Sequence, residues 1–245
     1  GRRVKVAAVT PLYPPTSRVG AWLATHEFLA FLAAQGHDVS VWSCLSGILT
    51  PRVDKIDGVT VYGYGYDLPS AIESAEGADV VLGHCGDGGQ AQELADAVGA
   101  PLVQLFHGGH GMPSHQAALV VFNSQASKRS CGWDGPSVVC HPYTNPIVHQ
   151  SDPGEMVTLV NCSKDKGVLT AMACAARRPS HQWLAVLGGH GEQVKIGRPN
   201  VSVMAPTQHM RRDVWPKTRI LVMPSRRETW GMVGVEALAS GIPVI

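Results

Sequence analysis

Residues 219–245 read RILVMPSRRETWGMVGVEALASGIPVI and contain the clearest structural signal in this sequence. The apolar run 220–223 is typical of a buried strand, and Pro224 predicts that a turn ends it. Helix-forming residues over 232–240 predict a helix that stops at Gly241. This order of strand, loop and helix N-terminus predicts a ligand site in the loop.

The residues of this loop indicate which ligand it takes. Gly231 has no Cβ, so a ligand can approach its backbone, and the unpaired N–H groups of the following helical turn favour an anion such as phosphate. Glu228 and Glu236 would repel a phosphate, so we expect them to accept hydrogen bonds from hydroxyl groups elsewhere on the same ligand. Phosphates in the middle and hydroxyls at both ends describe a nucleotide sugar.

The stretch resembles the donor-site motif of glycosyltransferase family four, which are retaining enzymes of two-domain GT-B architecture. The motif is a glutamate, seven residues and a second glutamate, and the matching residues are Glu228, Trp230, Gly231, Glu236, Ala237, Gly241, Pro243 and Val244. The resemblance implies that Glu228 contacts the donor sugar, Glu236 the ribose hydroxyls, and the backbone between them the diphosphate. An ordinary strand, turn and helix with surface glutamates is the alternative.

Composition limits the class of protein. The chain has 245 residues with a hydrophobic fraction of 44%, enough to fill one large core or two cores of about 120 residues each. No apolar run of about 18 residues and no basic start before an apolar segment occurs, so we expect a soluble cytoplasmic protein without a membrane span. The six cysteines form no C-x-x-C pair, which favours reduced thiols.

Charge is distributed unevenly along the chain. Residues 1–150 hold 8 Lys and Arg against 12 Asp and Glu, a balance of −4, whereas residues 151–245 hold 12 against 7, a balance of +5. The second half therefore suits a polyanionic ligand and the first a neutral or polar one. This distribution makes a nucleic acid an unexpected partner for the first half.

The first half alternates strands with helices, which predicts a Rossmann-like domain over residues 1–150. An amphipathic helix over 21–35 follows a turn-rich loop, and Gly20 stands where this helix begins. The family resemblance implies that the loop before Gly20 approaches the donor phosphates. Further strands are predicted at 4–9, 39–42, 59–62, 79–83, 101–106, 118–122 and 137–140, with a helix at 90–98.

His107 is the candidate catalytic residue of this domain. It closes the predicted strand 101–106 and is followed by glycines, so it is well placed to meet a substrate hydroxyl. A histidine that is simply hydrogen-bonded in a loop is the alternative. A metal site formed with His110 and His115 is a weaker one, because no fourth ligand or fixed spacing supports it, and we predict no metal.

The proline-rich stretch 141–155 is the candidate linker, and a second domain over 151–245 follows it. Lys166 and Gly167 are predicted to open a helix after the strand 156–160, which brings an ammonium group and free backbone amides to one place. The family resemblance implies that this lysine holds the diphosphate. The family usually has an arginine at the position of Asn161, so we expect Lys164, Arg226 or Arg227 to compensate.

These observations predict an α/β protein of two Rossmann-like domains that face each other across a cleft, the GT-B architecture. Because the chain ends at Ile245, directly after an apolar strand, we expect the second domain to be incomplete. We expect the first domain to bind an acceptor of unknown class (a glycan, a lipid or a small molecule), and the second a nucleotide-sugar donor.

The expected activity is transfer of a sugar to an acceptor hydroxyl with anomeric retention and without a cofactor. The candidate catalytic residues are His107 and Glu228, and the candidate donor-binding residues are Gly20, Lys166, Arg227, Trp230, Gly231, Met232, Val233 and Glu236. A nucleotide-sugar epimerase or phosphorylase of the same architecture and a non-catalytic nucleotide-sugar-binding module are the alternatives. A hydrolase that uses the two glutamates as acid and base is disfavoured, because it leaves the phosphate site without a purpose.

Overall fold

The computed structural model describes residues 2–15, 20–43, 53–62, 67–84, 89–108, 112–144, 146–189, 191–207 and 209–245. The chain forms two compact units, the first ending at Tyr143 and the second beginning at Thr144. This division falls inside the proline-rich stretch 141–155. Each unit contains its own parallel sheet.

The sheet of unit 1 has eight strands among the described residues, in the order β3-β4-β2-β1-β5-β6-β7-β8. All neighbours pair in parallel except β3 and β4, which form an antiparallel hairpin. The strands are β1 Lys5–Thr10, β2 Asp38–Ser43, β3 Val53–Ile56, β4 Val59–Tyr62, β5 Val80–His84, β6 Leu102–Phe106, β7 Leu119–Phe122 and β8 Ser137–Val139. Strands β2 to β4 lie on one side of β1 and strands β5 to β8 on the other, so the order of the strands changes direction at β1, as in nucleotide-binding folds.

Four helices of unit 1 are described: α1 Gly20–Ala34, α2 Leu68–Ala75, α3 Gln90–Val98 and α4 Gln125–Cys131. The sequence analysis predicts α1 and α3 but not α2 and α4, and both of the latter begin at a capping side chain. Asp67 accepts a hydrogen bond from the Ser70 amide at 3.1 Å, and Ser124 accepts one from the Ser127 amide at 3.0 Å. These side chains satisfy amides that a helix start leaves unpaired.

The core of unit 1 lies on both faces of its sheet. On β1, Ala7 and Val9 belong to one buried cluster, whereas Val6 and Ala8 belong to the other. Alternate residues of a strand point to opposite faces, so this central strand contributes apolar side chains to both layers. The two-sided burial explains why the strand reads as a continuous apolar run rather than as an alternating one.

Unit 2 has a four-stranded parallel sheet in the order β11-β10-β9-β12. Its strands are β9 Met156–Val160, β10 Trp183–Val186, β11 Val201–Met204 and β12 Thr218–Val222. Its helices are α5 Pro146–His149, α6 Val168–Arg177, α7 Met210–Asp213, a 3₁₀ turn at Trp215–Lys217 and α8 Met232–Ala239. The central strand β9 lies between β10 and β12, so the loops that follow β9 and β12 emerge side by side.

The prediction of an α/β fold with two Rossmann-like domains is therefore confirmed. The sequence did not predict the hairpin strand β3 or the short helices α5 and α7, which have no more than four residues each. Within the described parts of the chain, no helix is long and apolar enough to cross a membrane.

Candidate functional site

A cavity of about 180 Å³ lies at the carboxyl ends of β9 and β12 in unit 2. Its wall includes residues from the loops that follow both strands and from the first turn of α8. The polar and small residues among them are Asn161, Lys166, Ser225, Glu228 and Gly231, and Met232 and Val233 complete that turn of the helix. This is the edge of the sheet where open α/β folds bind ligands.

An ion pair crosses this cavity. The Lys166 ammonium donates to Oε1 of Glu228 at 2.6 Å, and the Ser225 hydroxyl donates to the same oxygen at 2.8 Å. About a third of each side chain of the pair is exposed, 34% for Lys166 and 28% for Glu228. The pair is thus open to a ligand that offers a competing anion to the lysine or a hydroxyl donor to the carboxylate.

Gly167 allows the two loops to meet. It has φ +77°, and a Cβ built there would lie 2.0 Å from the carbonyl oxygen of Pro224. Only glycine adopts this conformation readily and leaves room for the neighbouring backbone. The close approach holds the loop after β9 against the loop after β12, so Lys166 and Glu228 come within hydrogen-bond distance.

Gly231 shapes the helical side of the cavity. It precedes α8 in a left-handed conformation with φ 79° and ψ 52°, and as a glycine it has no side chain to cap the helix. A Cβ at Gly231 would lie 3.2 Å from Cε of Met223, so the turn also packs closely on the strand end. The positive end of the α8 dipole and its first amides therefore face the same cavity as Lys166.

The structure brings together five of the sequence-predicted residues of unit 2, namely Lys166, Glu228, Gly231, Met232 and Val233. Three others, Arg227, Trp230 and Glu236, are described but are not among the residues that line this cavity. Arg227 is exposed, and Trp230 and Glu236 are half-buried. Gly20 begins α1 in unit 1, and residues 16–19 of the loop before it lie outside the described residues. The roles of all these residues in donor binding stay predictions.

The sequence analysis missed Gln193, which lies beside the cavity. Its side-chain oxygen accepts hydrogen bonds from the amides of Cys162 at 2.9 Å and Gly188 at 2.7 Å. Its side-chain nitrogen donates to Oδ1 of Asn161 at 3.0 Å. Gln193 thus joins the loops that follow β9 and β10. A glutamine five residues after Gly188 carries no sequence signal of this role.

His107 follows β6 in unit 1 and stacks against His84, the last residue of β5. The ring centroids are 5.0 Å apart with an interplanar angle of 9°. Nε2 of His107 lies 3.4 Å from the Thr25 hydroxyl of α1, and the Asn123 side chain donates to the His107 carbonyl at 3.0 Å. Burial, followed by the proximity of His84, lowers the pKa of His107 to about 3.

This arrangement gives His107 a defined chemical state. A pKa near 3 keeps the imidazole neutral at physiological pH, so it can donate one hydrogen bond and accept another. The sequence did not single out His84, although VVLGH ends in the same way as PLVQLFH, with a histidine after an apolar run. The two histidines meet because β5 and β6 are parallel neighbours.

The alternative of a metal site at His107, His110 and His115 gains no support. His110 lies outside the described residues, and His115 stacks on Trp133 with ring centroids 5.8 Å apart. Within the described ranges, no three histidine, cysteine, aspartate or glutamate side chains are grouped closely enough to hold a metal ion.

Several solved structures that are similar to this chain are glycosyltransferases. The lipopolysaccharide outer core galactosyltransferase WaaB in its apo form has a TM-score of 0.65 and 12% identity, covering 98% of this chain and 80% of its own. The glycotransferase of kitacinnamycin has a TM-score of 0.59 and 18% identity, covering 99% of this chain and 80% of its own. The fold is that of a GT-B glycosyltransferase.

An α,α-trehalose 6-phosphate synthase from Burkholderia multivorans shares this GT-B fold, with a TM-score of 0.64 and 9% identity over 98% of this chain and 80% of its own. A family described as family 4 glycosyltransferases in conflict systems matches residues 196–245, the segment that includes Glu228 and Glu236. No curated protein matches this chain. The family match and the GT-B fold together support a family 4-like glycosyltransferase.

Proposed function

We propose that this protein transfers a sugar from a nucleotide-diphosphate sugar to an acceptor hydroxyl with retention of the anomeric configuration. The observation that carries the proposal is the cavity of unit 2, in which Lys166, Glu228 and the N-terminus of α8 converge. A cation, a carboxylate and free helix amides match a ligand that carries both phosphates and hydroxyls. The family match over residues 196–245 supports the same reading.

Donor binding requires an exchange of partners at the ion pair. When the diphosphate enters, its oxygens replace the Glu228 carboxylate as the acceptors of the Lys166 ammonium. Glu228 then accepts hydrogen bonds from hydroxyls of the donor sugar, and Glu236 accepts hydrogen bonds from the ribose hydroxyls. The 2.6 Å ion pair thus keeps both side chains oriented toward the cavity before the donor arrives.

Negative charge develops on the departing diphosphate during transfer. Lys166 and the amides at Gly231 are positioned to stabilise this charge, and electrostatic stabilisation of this kind contributes most when it is preorganised. The neutral His107 of unit 1 can both donate and accept a hydrogen bond, and we assign it to a substrate hydroxyl. This assignment needs neither a cofactor nor a metal ion.

The decisive experiment is product analysis with a panel of nucleotide sugars and candidate acceptors. We expect release of the nucleoside diphosphate together with a new glycoside, whose anomeric configuration NMR identifies as retained. Epimerised donor without a glycoside would indicate an epimerase, and a glycan cleaved with inorganic phosphate would indicate a phosphorylase. Tight donor binding without turnover would indicate a binding module, and an inverted product would contradict retention.

A further inference from the structure

We propose, resting on the function above, that Gln193 is a positioning residue for the donor cavity. It orients the Asn161 side chain so that the Nδ2 group of Asn161 is the hydrogen-bond donor offered to the diphosphate. Asn161 lines the cavity with Lys166 and directly follows the central strand β9. The family that the sequence resembles usually has an arginine at this position. Here the neutral side-chain amide of Asn161 takes its place in the cavity wall.

The orientation of the Gln193 amide follows from its backbone partners. The amides of Cys162 and Gly188 are donors only, and both point at the same side-chain atom at 2.9 and 2.7 Å, so this atom is the oxygen. The Gln193 nitrogen then faces two acceptors, Oδ1 of Asn161 at 3.0 Å and the carbonyl of Gly191 at 3.2 Å. Both hydrogens of the nitrogen are thus engaged.

The orientation of Asn161 follows in turn. Its Oδ1 accepts from Gln193 and also from the backbone amide of Ser163 at 3.2 Å. Two donors on one atom identify that atom as the oxygen, and the Nδ2 group is left as the donor of this side chain. Since a side-chain amide can rotate by 180°, the contacts with Gln193 and with the Ser163 amide together make one orientation preferable.

The backbone reinforces this arrangement. Asn161 has φ 66°, a left-handed conformation that asparagine tolerates better than most residues. A Cβ at Gly188 would lie 2.4 Å from Cγ of Asn161, so only glycine leaves room for the side chain. The placement of each of Asn161, Gly188 and Gln193 therefore depends on the other two, although Asn161 follows β9 and the others follow β10.

This arrangement also changes which groups are available to a phosphate. Backbone amides at the carboxyl ends of parallel strands often bind phosphates. Here the amides of Cys162 and Gly188 bind Gln193 instead. On this side of the cavity the Asn161 amide consequently provides the contact, while Lys166 provides the charge.

A double-mutant cycle tests whether Gln193 acts through Asn161. Gln193→Met keeps the length of the side chain but removes its hydrogen bonds, and Asn161→Ala removes the proposed donor. Calorimetric titration with UDP, GDP and ADP should show each single variant binding its best diphosphate about tenfold more weakly, the effect of one unmet hydrogen bond. The double variant should bind no more weakly than Asn161→Ala alone, because the second change removes a partner that is already lost.

Two controls separate positioning from a loss of structure. Gln182→Met changes an exposed glutamine of the same unit and should leave diphosphate affinity unchanged. Titration with uridine, guanosine and adenosine should show no loss for Gln193→Met, because a nucleoside has no phosphate to contact Asn161. Additive losses in the double variant, or equal losses for nucleoside and diphosphate, would overturn the proposal.

A ligand-independent measurement distinguishes this proposal from the proposed function. In ¹⁵N-labelled protein, the side-chain amide hydrogens of Gln193 should exchange with water more slowly than those of Asn161, because both Gln193 hydrogens are bonded. Slow exchange at Asn161 and fast exchange at Gln193 would refute the proposed orientation. If no diphosphate binds while this exchange pattern holds, the proposed function fails and the orientation of the two amides stands.

Discussion

The carboxyl ends of the two sheets present opposite chemistry on the same architecture. In unit 1, His84 at the end of β5 stacks on the neutral His107 that follows β6, next to a threonine hydroxyl. In unit 2, β9 and β12 lead into loops that carry an ion pair and a helix N-terminus. The two halves of the sequence differ in the same sense, because residues 1–150 carry a net charge of −4 and residues 151–245 one of +5. Shared topology thus fixes where a ligand binds, whereas the residues after each strand fix what it is.

The largest expected effect is that of replacing Lys166, whose ammonium group lies in the cavity of unit 2. Lys166→Ala should lower the transfer rate by roughly 100- to 1,000-fold, the usual cost of removing one group that stabilises a developing anion. Binding of a nucleoside diphosphate should weaken far more than binding of the nucleoside. Steady-state kinetics and calorimetry measure the two effects.

Lys195→Ala is the matched control for this substitution, because Lys195 is an exposed lysine of the same unit that does not line the cavity. It should change the transfer rate by less than about twofold. Similar losses in the two lysine variants would mean that general positive charge, and not the position of Lys166, distinguishes unit 2 from unit 1.

The next effect concerns the contact between the two loops of unit 2. Gly167→Ala places a methyl group against the Pro224 carbonyl at a residue with φ +77°. We expect the free energy of unfolding to fall by about 3 kcal/mol, from the left-handed conformation and the steric overlap combined. Gly189→Ala is the control, since a Cβ there meets nothing within 4 Å. If calorimetry showed equal shifts of the unfolding transition for Gly167→Ala and Gly189→Ala, this contact would not have the proposed role.

The third effect concerns the histidine end of unit 1. The pKa of His107 is lowered to about 3 in the folded protein, whereas an unfolded histidine titrates near 6.5. Between these values the unfolded state binds more protons, so stability falls as the pH falls from 6.5 toward 3. Replacing His107 by asparagine removes this contribution.

The difference in unfolding free energy between wild type and His107→Asn should therefore shift by about 3 kcal/mol in favour of the variant between pH 7 and pH 4. Urea denaturation at both pH values measures it. Parallel pH dependences would show that His107 is not held neutral by its surroundings, and the contrast between the two units would be lost.

The smallest expected effect is that of removing metal ions, which should leave the transfer rate nearly unchanged. If the charges of unit 2 stabilise the diphosphate without an ion, transfer after dialysis against chelator and in excess EDTA should stay within about twofold of the untreated rate. A loss of activity that magnesium or manganese restores would assign the leaving-group charge to a metal, and would weaken the case for Lys166 and the Gly231 turn.

The sequence predicted the strands and the candidate donor loop because both leave local signals. Apolar runs of four to six residues marked the strands, and Gly231 and Gly241 marked the limits of α8. Helix α4, with the sequence QASKRSC, has no apolar stripe. Its start depends on one hydrogen bond from the Ser127 amide to Ser124, which is why periodicity did not predict it.

The sequence could not predict which side chains meet. Lys166 and Glu228 were each singled out, but their ion pair spans 62 residues and exists because β12 pairs with β9. The stack of His84 on His107 likewise depends on the pairing of β5 with β6. Gln193 bonds residues on two loops, and its role depends entirely on how those loops are placed.

The position of β12 in the sheet also determines when the cavity of unit 2 can form during protein synthesis. The first three strands of unit 2 occur in chain order, but the fourth must return to β9, where the buried hydroxyls of Thr158 and Thr218 meet at 2.8 Å. Synthesis proceeds at about 5–20 residues per second, so Lys166 precedes Glu228 by several seconds. Unit 1 can complete its sheet during this delay, whereas the wall of the cavity waits for the segment 219–245 to leave the ribosome.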